Sequence, residues 1–115
     1  MDFYDRSGTA IAYCEDGEHI FDWGGRPSAF LYNDNIYSFS GKHMGWFLNG
    51  MVRDHSGNVA LFTAEAQGGP AKPAKRAKPA KGAKNAKPAK GAKQAAPAKP
   101  AMSSSWSVKI WPALV

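Results

Sequence analysis

The segment FYDRSGTAIAYC, residues 3–14, sets a pattern that returns three more times before residue 66. Aligned on a glycine, the later copies read IFDWGGRPSAFL, IYSFSGKHMGWF and VRDHSGNVALFT. The aligned glycines recur at a nearly constant spacing and are Gly8, Gly25, Gly41 and Gly57. Self-similarity at a fixed period is typical of a repeat architecture. The chain therefore begins with four copies of one structural unit.

Each copy places a turn between two apolar segments. Three residues before the glycine stands a side chain that can accept hydrogen bonds from its own turn, and the glycine supplies the positive φ at the turn's end. The repeat period has the length of one hairpin and is too short for a helical repeat. The pattern predicts one β-hairpin per copy, with these residues in the turns: Asp5, Asp22, Ser38 and Asp54.

A single hairpin is not stable in water, so the four hairpins must share a core. Closing them around a pseudo-fourfold axis does this and also removes the sheet edges. Four places after the glycine, the copies carry Ala12, Ala29, Gly45 and Leu61. We expect this column of aligned residues, which are mostly small, to lie at the crowded axis. The next aligned position is aromatic in all four copies, and we expect it in a layer beside the axis. The predicted fold class is all-β, with four tandem hairpin repeats of about 16 residues in a domain of residues 1–66.

Charge divides the chain after this domain. Residues 1–66 carry a net charge of −5, whereas residues 67–115 hold eleven Lys or Arg residues and no acid. Residues 67–102 form a Pro/Ala/Lys triplet repeat whose prolines leave no window for a stable helix. Polyproline II, with three residues per turn, would align the lysines along one edge. We expect a disordered, extended, cationic linker.

The cations of this linker are the main candidate site. A row of cations without acids is typical of a polyanion binder, and no residue in it can read bases. The predicted partner is nucleic acid or another polyanion, bound without sequence specificity; PAK-type repeats resemble those of linker-histone tails. The alternative is a semi-rigid, solubilising spacer, resting partly on the acidic domain or on an anionic membrane. The candidate residues are Lys72, Lys75, Arg76, Lys78, Lys81, Lys84, Lys87, Lys90, Lys93 and Lys99.

A second candidate site lies at the hairpin tips, two residues before each glycine, where Arg6, Trp23, Phe39 and His55 stand. Large aromatic residues are unusual in turns, which favour small polar ones. Together they would form a recognition face for a protein or a small ligand. Alternatively, they fold onto the neighbouring hairpin and complete a small core.

Residues 103–115, SSSWSVKIWPALV, are apolar again. Trp106, Val108 and Ile110 alternate with polar residues, which predicts a half-buried strand that ends at Trp111-Pro112. So short a segment cannot fold alone. It therefore docks on residues 1–66 of its own chain or of a neighbour, or it serves as a linear motif for a partner, or it is disordered.

The sequence offers little catalytic chemistry. His19, His43 and His55 occupy different columns of the repeat, and no HxxxH or CxxC pattern is present. We predict no cofactor and no enzymatic activity. The four turn residues could bind Ca²⁺ if they converged in a ring, although capping of each turn explains the same residue types.

The remaining features concern the setting of the protein. Cys14 is the single cysteine, so no internal disulfide can form. The N-terminus lacks a leader pattern, and no apolar run reaches the length of a membrane span. These features predict a cytoplasmic location; the oligomeric state is open.

The units FYDRSGTAIAY, IYSFSGKHMGWF and VRDHSGNVALFT resemble those of the bacterial 4-fold β-flower family, over roughly residues 2–64. The resemblance implies the closed fourfold fold, a Lys/Arg/Ala/Pro tail and a terminal Ser-Trp-Ser segment like SSSWS here. It implies no catalytic motif. The leading prediction is a non-enzymatic binding module whose tail holds a polyanion while the hairpin domain binds a protein or small ligand. The alternative is a protein-interaction or assembly module in which the tail is only a spacer.

Overall fold

Eight short strands are the only regular elements in the computed structural model, which describes all 115 residues. Their bounds are β1 Asp2–Tyr4, β2 Ala10–Cys14, β3 His19–Asp22, β4 Pro27–Tyr32, β5 Asn35–Tyr37, β6 His43–Leu48, β7 Met51–Arg53 and β8 Val59–Phe62. Each strand pairs antiparallel with the next, and β1 pairs with β8, so the sheet closes into a barrel. The prediction of an all-β fold with four hairpins in a closed ring is confirmed. No helix in the chain has the length and hydrophobicity needed to cross a membrane.

The hairpin turns have the predicted capping geometry. In the first turn, Asp5 Oδ1 accepts hydrogen bonds from the amides of Ser7 at 2.9 Å and Thr9 at 3.1 Å. Asp54 makes the equivalent two bonds in the fourth turn. These bonds hold the turn backbone in place, and they explain why a short acceptor side chain recurs in this column.

A β-bulge lies at the same place in every hairpin. In the first, Phe3 pairs with Ala12 and Tyr4 pairs with Ala10, so Ile11 is left without a partner. Bulges bend a strand and increase its twist, which allows such short strands to close into a ring. The equivalent unpaired residues are Ser28, Met44 and Ala60.

Facing residues of complementary size fill the barrel. The four cross-strand pairs are Phe3–Ala12, Ile20–Ala29, Ile36–Gly45 and Val52–Leu61, and all eight residues are buried. A Cβ on Gly45 would stand 2.0 Å from the carbonyl oxygen of Arg53 on the next strand. In the first three hairpins the larger residue of the pair is on the first strand. In the fourth hairpin it is on the second strand, because the smaller Val52 makes room for Leu61. The small column therefore lies at the crowded axis, as predicted.

The alternate residues of the strands form an aromatic layer on the outside of the barrel. Ring pairs connect adjacent strands there, since side chains on one face of a sheet are neighbours across the ladder. Although they face outward, these rings are almost fully buried, because later parts of the chain cover them. Ring centroids 5.6 to 5.8 Å apart define three such pairs: Tyr4–Phe62, Tyr13–Phe21 and Phe30–Tyr37.

Residues 70–102, named the strap here, provide much of that cover. The strap has neither helix nor strand, but it lies against the barrel and forms backbone hydrogen bonds with it. The prediction of a disordered linker was therefore wrong. The triplet repeat has no partners within itself, but turn carbonyls, aromatic rings and carboxylates of the barrel supply partners along the strap.

The C-terminal residues fold back into the barrel. Trp111 and Leu114 belong to the same buried cluster as Phe3 and Ile20, with Leu114 fully inaccessible to solvent. Trp106 packs beside the ring of Phe62, with the centroids 6.0 Å apart. Of the alternatives left open by the sequence, docking on the chain's own barrel is the arrangement in this structure.

The predicted strand over Trp106 to Ile110 does not form. A single parallel bridge joins Trp106 to Val59, and Val108 and Ile110 are 88% and 80% exposed. The reason is that Ser107, not its apolar neighbours, points inward. Its amide donates to the carbonyl of Val59 at 2.8 Å, and its hydroxyl donates to the buried carboxylate of Asp54.

Candidate functional site

The strap follows the four hairpins in chain order, in steps of nine residues. The carbonyl of each aligned glycine accepts a hydrogen bond, over 2.8 to 3.2 Å, from a strap amide or, in the fourth hairpin, from the amide of Ser103 just after the strap. Because each step reaches the next hairpin, the strap passes once around the barrel. The donor and acceptor pairs are Arg76 to Gly8, Asn85 to Gly25, Gln94 to Gly41 and Ser103 to Gly57.

The aligned glycines allow the strap to lie this close. A Cβ on Gly25, where φ is +98°, would stand 1.9 Å from the carbonyl oxygen of Ala83. At the other three aligned glycines the corresponding distances to Ala74, Ala92 and Ala101 are 1.9 to 2.2 Å. Any side chain here would push the strap away from the barrel.

The nine-residue step is also present in the sequence. From residue 70 to 105 the chain reads PAKPAKRAK, PAKGAKNAK, PAKGAKQAA and PAKPAMSSS. The amides of Gly82 and Gly91, in the fourth place, donate to barrel carbonyls at 3.0 and 2.7 Å. Pro73 and Pro100 take this place in the first and last nonapeptides, where no such bond is made. The triplet is the more obvious repeat and hides this nine-residue period, which indicates contact with the four hairpins.

Strap lysines lie over the aromatic layer. Cations within about 6 Å of a ring centroid are attracted to its face. The Lys81 ammonium is 4.2 Å from the ring of Tyr13, and that of Lys93 is 4.5 Å from Tyr32. The other three lysines in such contacts are Lys75 with Tyr4, Lys84 with Phe21 and Lys90 with Phe30.

Four strap lysines form ion pairs with three carboxylates of the barrel. Lys78 lies 2.8 Å from Asp2, Lys81 and Lys84 both pair with Glu15, and Lys90 pairs with Glu18. The hydrogen bond from Lys84 lowers the pKa of Glu15, and the one from Lys90 lowers the pKa of Glu18. The same kind of bond raises the pKa of Lys78 and of Lys84. The negative charge of the barrel thus offsets part of the strap's charge.

The other six strap cations have no carboxylate partner. Lys72 donates to the backbone carbonyl of Pro70 at 3.0 Å, and Arg76 Nε donates to the carbonyl of Ser7 at 3.0 Å. Lys87 and Lys99 make no ion pair, side-chain hydrogen bond or aromatic contact, and both are exposed. The strap therefore keeps positive charge that the barrel carboxylates do not neutralise. Lys72 is half-buried and the other five of these cations are exposed: Lys75, Arg76, Lys87, Lys93 and Lys99.

The four hairpin-tip residues make separate contacts. Arg6 donates to the carbonyl of Ser107 at 3.4 Å, and Trp23 Nε1 donates to the carbonyl of Pro79 at 2.9 Å. Phe39 is buried against Phe30 and His19, and His55 meets His43. No hydrogen bond or ring contact joins one tip residue to another. This arrangement is the one expected of residues that complete the packing around each hairpin.

The turn acceptors are occupied by protein groups. The Asp22 carboxylate lies 3.3 Å from the Nε1 donor of Trp111, and Asp54 accepts from Ser107. No group of three or more His, Cys, Asp or Glu side chains is placed to hold a metal ion. Asp5, Ser38 and Asp54 accept hydrogen bonds from amides of their own turns, whereas the carboxylate of Asp22 accepts from Trp111 instead.

A pair of imidazoles lies between the third and fourth hairpins. His43, which is buried, has Nε2 at 3.0 Å from Asn35 Oδ1 and Nδ1 at 2.9 Å from His55 Nε2. Burial lowers the pKa of both histidines. The amide of His43 also donates to the Gln94 side chain, 2.8 Å away, which connects the pair to the strap.

Two other ionisable side chains have shifted pKa values. Burial raises the pKa of the Cys14 thiol, which keeps it protonated. Asp16 accepts bonds from the amide and the ring of His19, and these hold the pKa of its carboxyl well below the usual range. A thiol with a raised pKa does not have the environment of an activated nucleophile.

Comparison with protein families places the whole chain in one of them. The family model described as 4-fold beta flower protein matches residues 1–115. Curated proteins and solved structures give no match. The match includes the strap and the C-terminal segment as well as the hairpins. The chain belongs to the 4-fold beta flower family, as the repeat units had indicated.

Proposed function

We propose that this member of the 4-fold beta flower family is a non-enzymatic binding module whose strap holds nucleic acid or another polyanion without sequence specificity. The observation that carries the proposal is the positive charge on the strap that barrel carboxylates do not neutralise. Ten cations surround the barrel, and four of them are paired with barrel carboxylates.

The strap geometry defines how a polyanion would bind. An ordered strap presents its lysines at fixed positions, so binding loses less conformational entropy than it would with a free arm. The molecule measures 37 × 36 × 21 Å, so a straight duplex contacts only one side of it. Each lysine that meets a phosphate contributes about −0.9 to the slope of log K against log salt. We expect a slope set by a few cations rather than by all ten.

The test compares two strap lysines that have no intramolecular partner with one lysine outside the strap. The variant Lys87→Gln/Lys99→Gln removes two exposed strap charges that make no intramolecular contact, so the fold is retained. The matched control, Lys42→Gln, removes an exposed lysine of the third hairpin. We expect weaker binding to a random-sequence duplex and a shallower salt slope for the strap variant only. Equal slopes for wild type and both variants would refute the proposal.

A second candidate function is a protein-interaction module, and the exposed Val108 and Ile110 favour it. Single apolar residues on a surface are common, but Val108 and Ile110 are 88% and 80% exposed only two residues apart within the docked segment, and neighbouring exposed apolar residues can mark a contact site. A pulldown with nuclease, comparing wild type with Val108→Ser/Ile110→Ser, separates the two functions. A nuclease-resistant protein partner lost only from the variant supports protein interaction.

The cytoplasmic location stays a prediction.

The continuous contact between strap and barrel disfavours the role of a simple spacer. A spacer holds two bodies apart, whereas this segment begins and ends on one barrel, and Trp111 beyond it is buried there. The strap's cation–π and ion-pair contacts indicate that it stabilises the fold in addition to any binding role.

A further inference from the structure

The C-terminal segment covers one side of the barrel end and leaves a cavity on the other. Trp111 lies toward Asp22 of the second hairpin, and it shares a buried cluster with Met44 of the third. Between the first and fourth hairpins a cavity of about 270 Å³ is left open beside Trp111. This volume is just below the lower end of the usual range for small-ligand sites, about 300 Å³.

The floor and one wall of the cavity are apolar. The bulge residues Ile11 and Ala60 line it together with Leu61, which belongs to the barrel core. The opposite wall is the C-terminal segment, through Ile110 and Trp111. An aliphatic chain of a few carbons would bury its surface between these walls, which is the main source of affinity for such a group.

Charged groups stand at the rim, and cations predominate. Arg6 and Lys109 line the cavity, and neither pairs with a carboxylate. Arg6 uses one donor for the Ser107 carbonyl, which leaves the rest of the guanidinium fork for a ligand. Asp5 is the single acid of the lining, and its Oδ1 accepts the two amides of its own turn.

From this combination we propose that the cavity is a binding site for a small aliphatic monocarboxylate. The chain of the ligand lies between Ile11, Ala60 and Trp111, and its carboxylate meets Arg6 and Lys109. A guanidinium matches a carboxylate in shape as well as charge, which sets the direction in which the ligand enters. The site is independent of the strap, so it adds to the polyanion proposal and does not rest on it.

The test uses three probes of equal chain length: hexanoate, hexylamine and hexanol. We titrate each into the ¹⁵N-labelled full-length protein and follow the amides of Ile11 and Ala60 and the Trp111 indole. Hexanoate should shift these signals with one saturable site and bind more tightly than the other two probes. The absence of hexanoate-induced shifts at millimolar concentration, or equal shifts with all three probes, would overturn the proposal.

Variants check the two halves of the site. Arg6→Gln should weaken hexanoate binding about tenfold, since a hydrogen bond to a charged group is lost. Ala60→Leu fills the apolar half and should abolish binding, whereas Lys87→Gln/Lys99→Gln should bind hexanoate like wild type. If Ala60→Leu fails to give a folded spectrum, the Arg6→Gln result decides: unchanged affinity refutes carboxylate recognition at this rim.

Discussion

Gly25 lies directly beneath Ala83, so close that a Cβ on the glycine would stand 1.9 Å from the alanine's carbonyl oxygen. A turn glycine of the second hairpin thus also contacts a residue that comes much later in the chain. The same relationship recurs at the three other aligned glycines. The glycine column therefore serves two purposes: it permits the positive φ of the turn, and it permits the strap to approach.

The two purposes can be separated by comparing Gly25→Ala with Gly17→Ala. Both glycines have positive φ, but a Cβ on Gly17 would have no atom within 4 Å. Gly17→Ala should cost about 1–2 kcal/mol of unfolding free energy, the cost of a left-handed alanine. Gly25→Ala should cost a further 1–3 kcal/mol or so, because the strap must move. Urea unfolding measures both; equal costs would mean that the strap does not rest on Gly25.

The docked C-terminal segment predicts a large difference between two of its residues. Leu114 is fully buried and Val108 is 88% exposed. Leu114→Ala should lower the free energy of unfolding by about 2–5 kcal/mol, whereas Val108→Ala should change it by less than about 0.5 kcal/mol. If the two variants unfold at the same urea concentration, the terminal segment does not contribute to the core.

The pairing of large and small residues at the axis predicts a coupled pair of substitutions. Ala29→Leu overfills the space beside Ile20 and should cost about 1–3 kcal/mol. Ile20→Val alone should cost about 0.5–1.5 kcal/mol. The double variant reproduces the Val52–Leu61 arrangement of the fourth hairpin, so it should be more stable than the sum of the single costs implies. Strict additivity would contradict direct packing between these side chains.

The His43–His55 pair predicts a loss of stability in mild acid. The pKa of each imidazole is lowered in the folded protein from its ordinary value of 6.5, so the unfolded chain binds protons first as the pH falls. The stabilising contribution is complete above pH 6.5 and is lost as the pH falls through the folded-state values. In the neutral pair His43 Nε2 donates to Asn35 Oδ1, so its Nδ1 accepts from His55 Nε2–H, and a proton on that Nδ1 would set two donors against each other.

Urea midpoints measured between pH 7.5 and 5 check this prediction. Wild type should become less stable across this range, and His55→Gln should show a weaker dependence because one of the two titrating groups is gone. His19→Gln is the control, since His19 lies outside the pair and contacts Asp16 instead. An identical pH dependence in wild type and His55→Gln would contradict the assignment.

Much of the barrel could be predicted from the sequence because its information is local. The Asp/Ser-to-Gly turn spacing repeats at a nearly constant interval, and period-2 alternation separates the axis column from the aromatic column. Closure followed from the need to bury four equal apolar faces. Each of these features depends on residues within a single hairpin or on symmetry between hairpins.

The strap and the C-terminal segment could not be predicted in the same way, because their partners are far away in sequence. Lysines that look solvated in a triplet repeat lie over Tyr13 or beside Glu15, both of which belong to the first hairpin and the turn that follows it. The strand pattern from Trp106 to Ile110 failed because a polar residue, Ser107, finds a buried acceptor on Asp54. The sequence did contain one signal for the strap: it has four nine-residue repeats, one for each of the four hairpins.

Hydrogen exchange of the strap amides tests most directly the central claim, that the strap is an ordered outer layer in register with the hairpins. The amides of Arg76, Asn85 and Gln94 donate to barrel carbonyls at nine-residue intervals, whereas the amide of Lys87 has no such partner. We predict slow exchange at these three positions, with Lys87 exchanging at the rate of a free chain. Free-chain rates at all four positions would contradict an ordered strap.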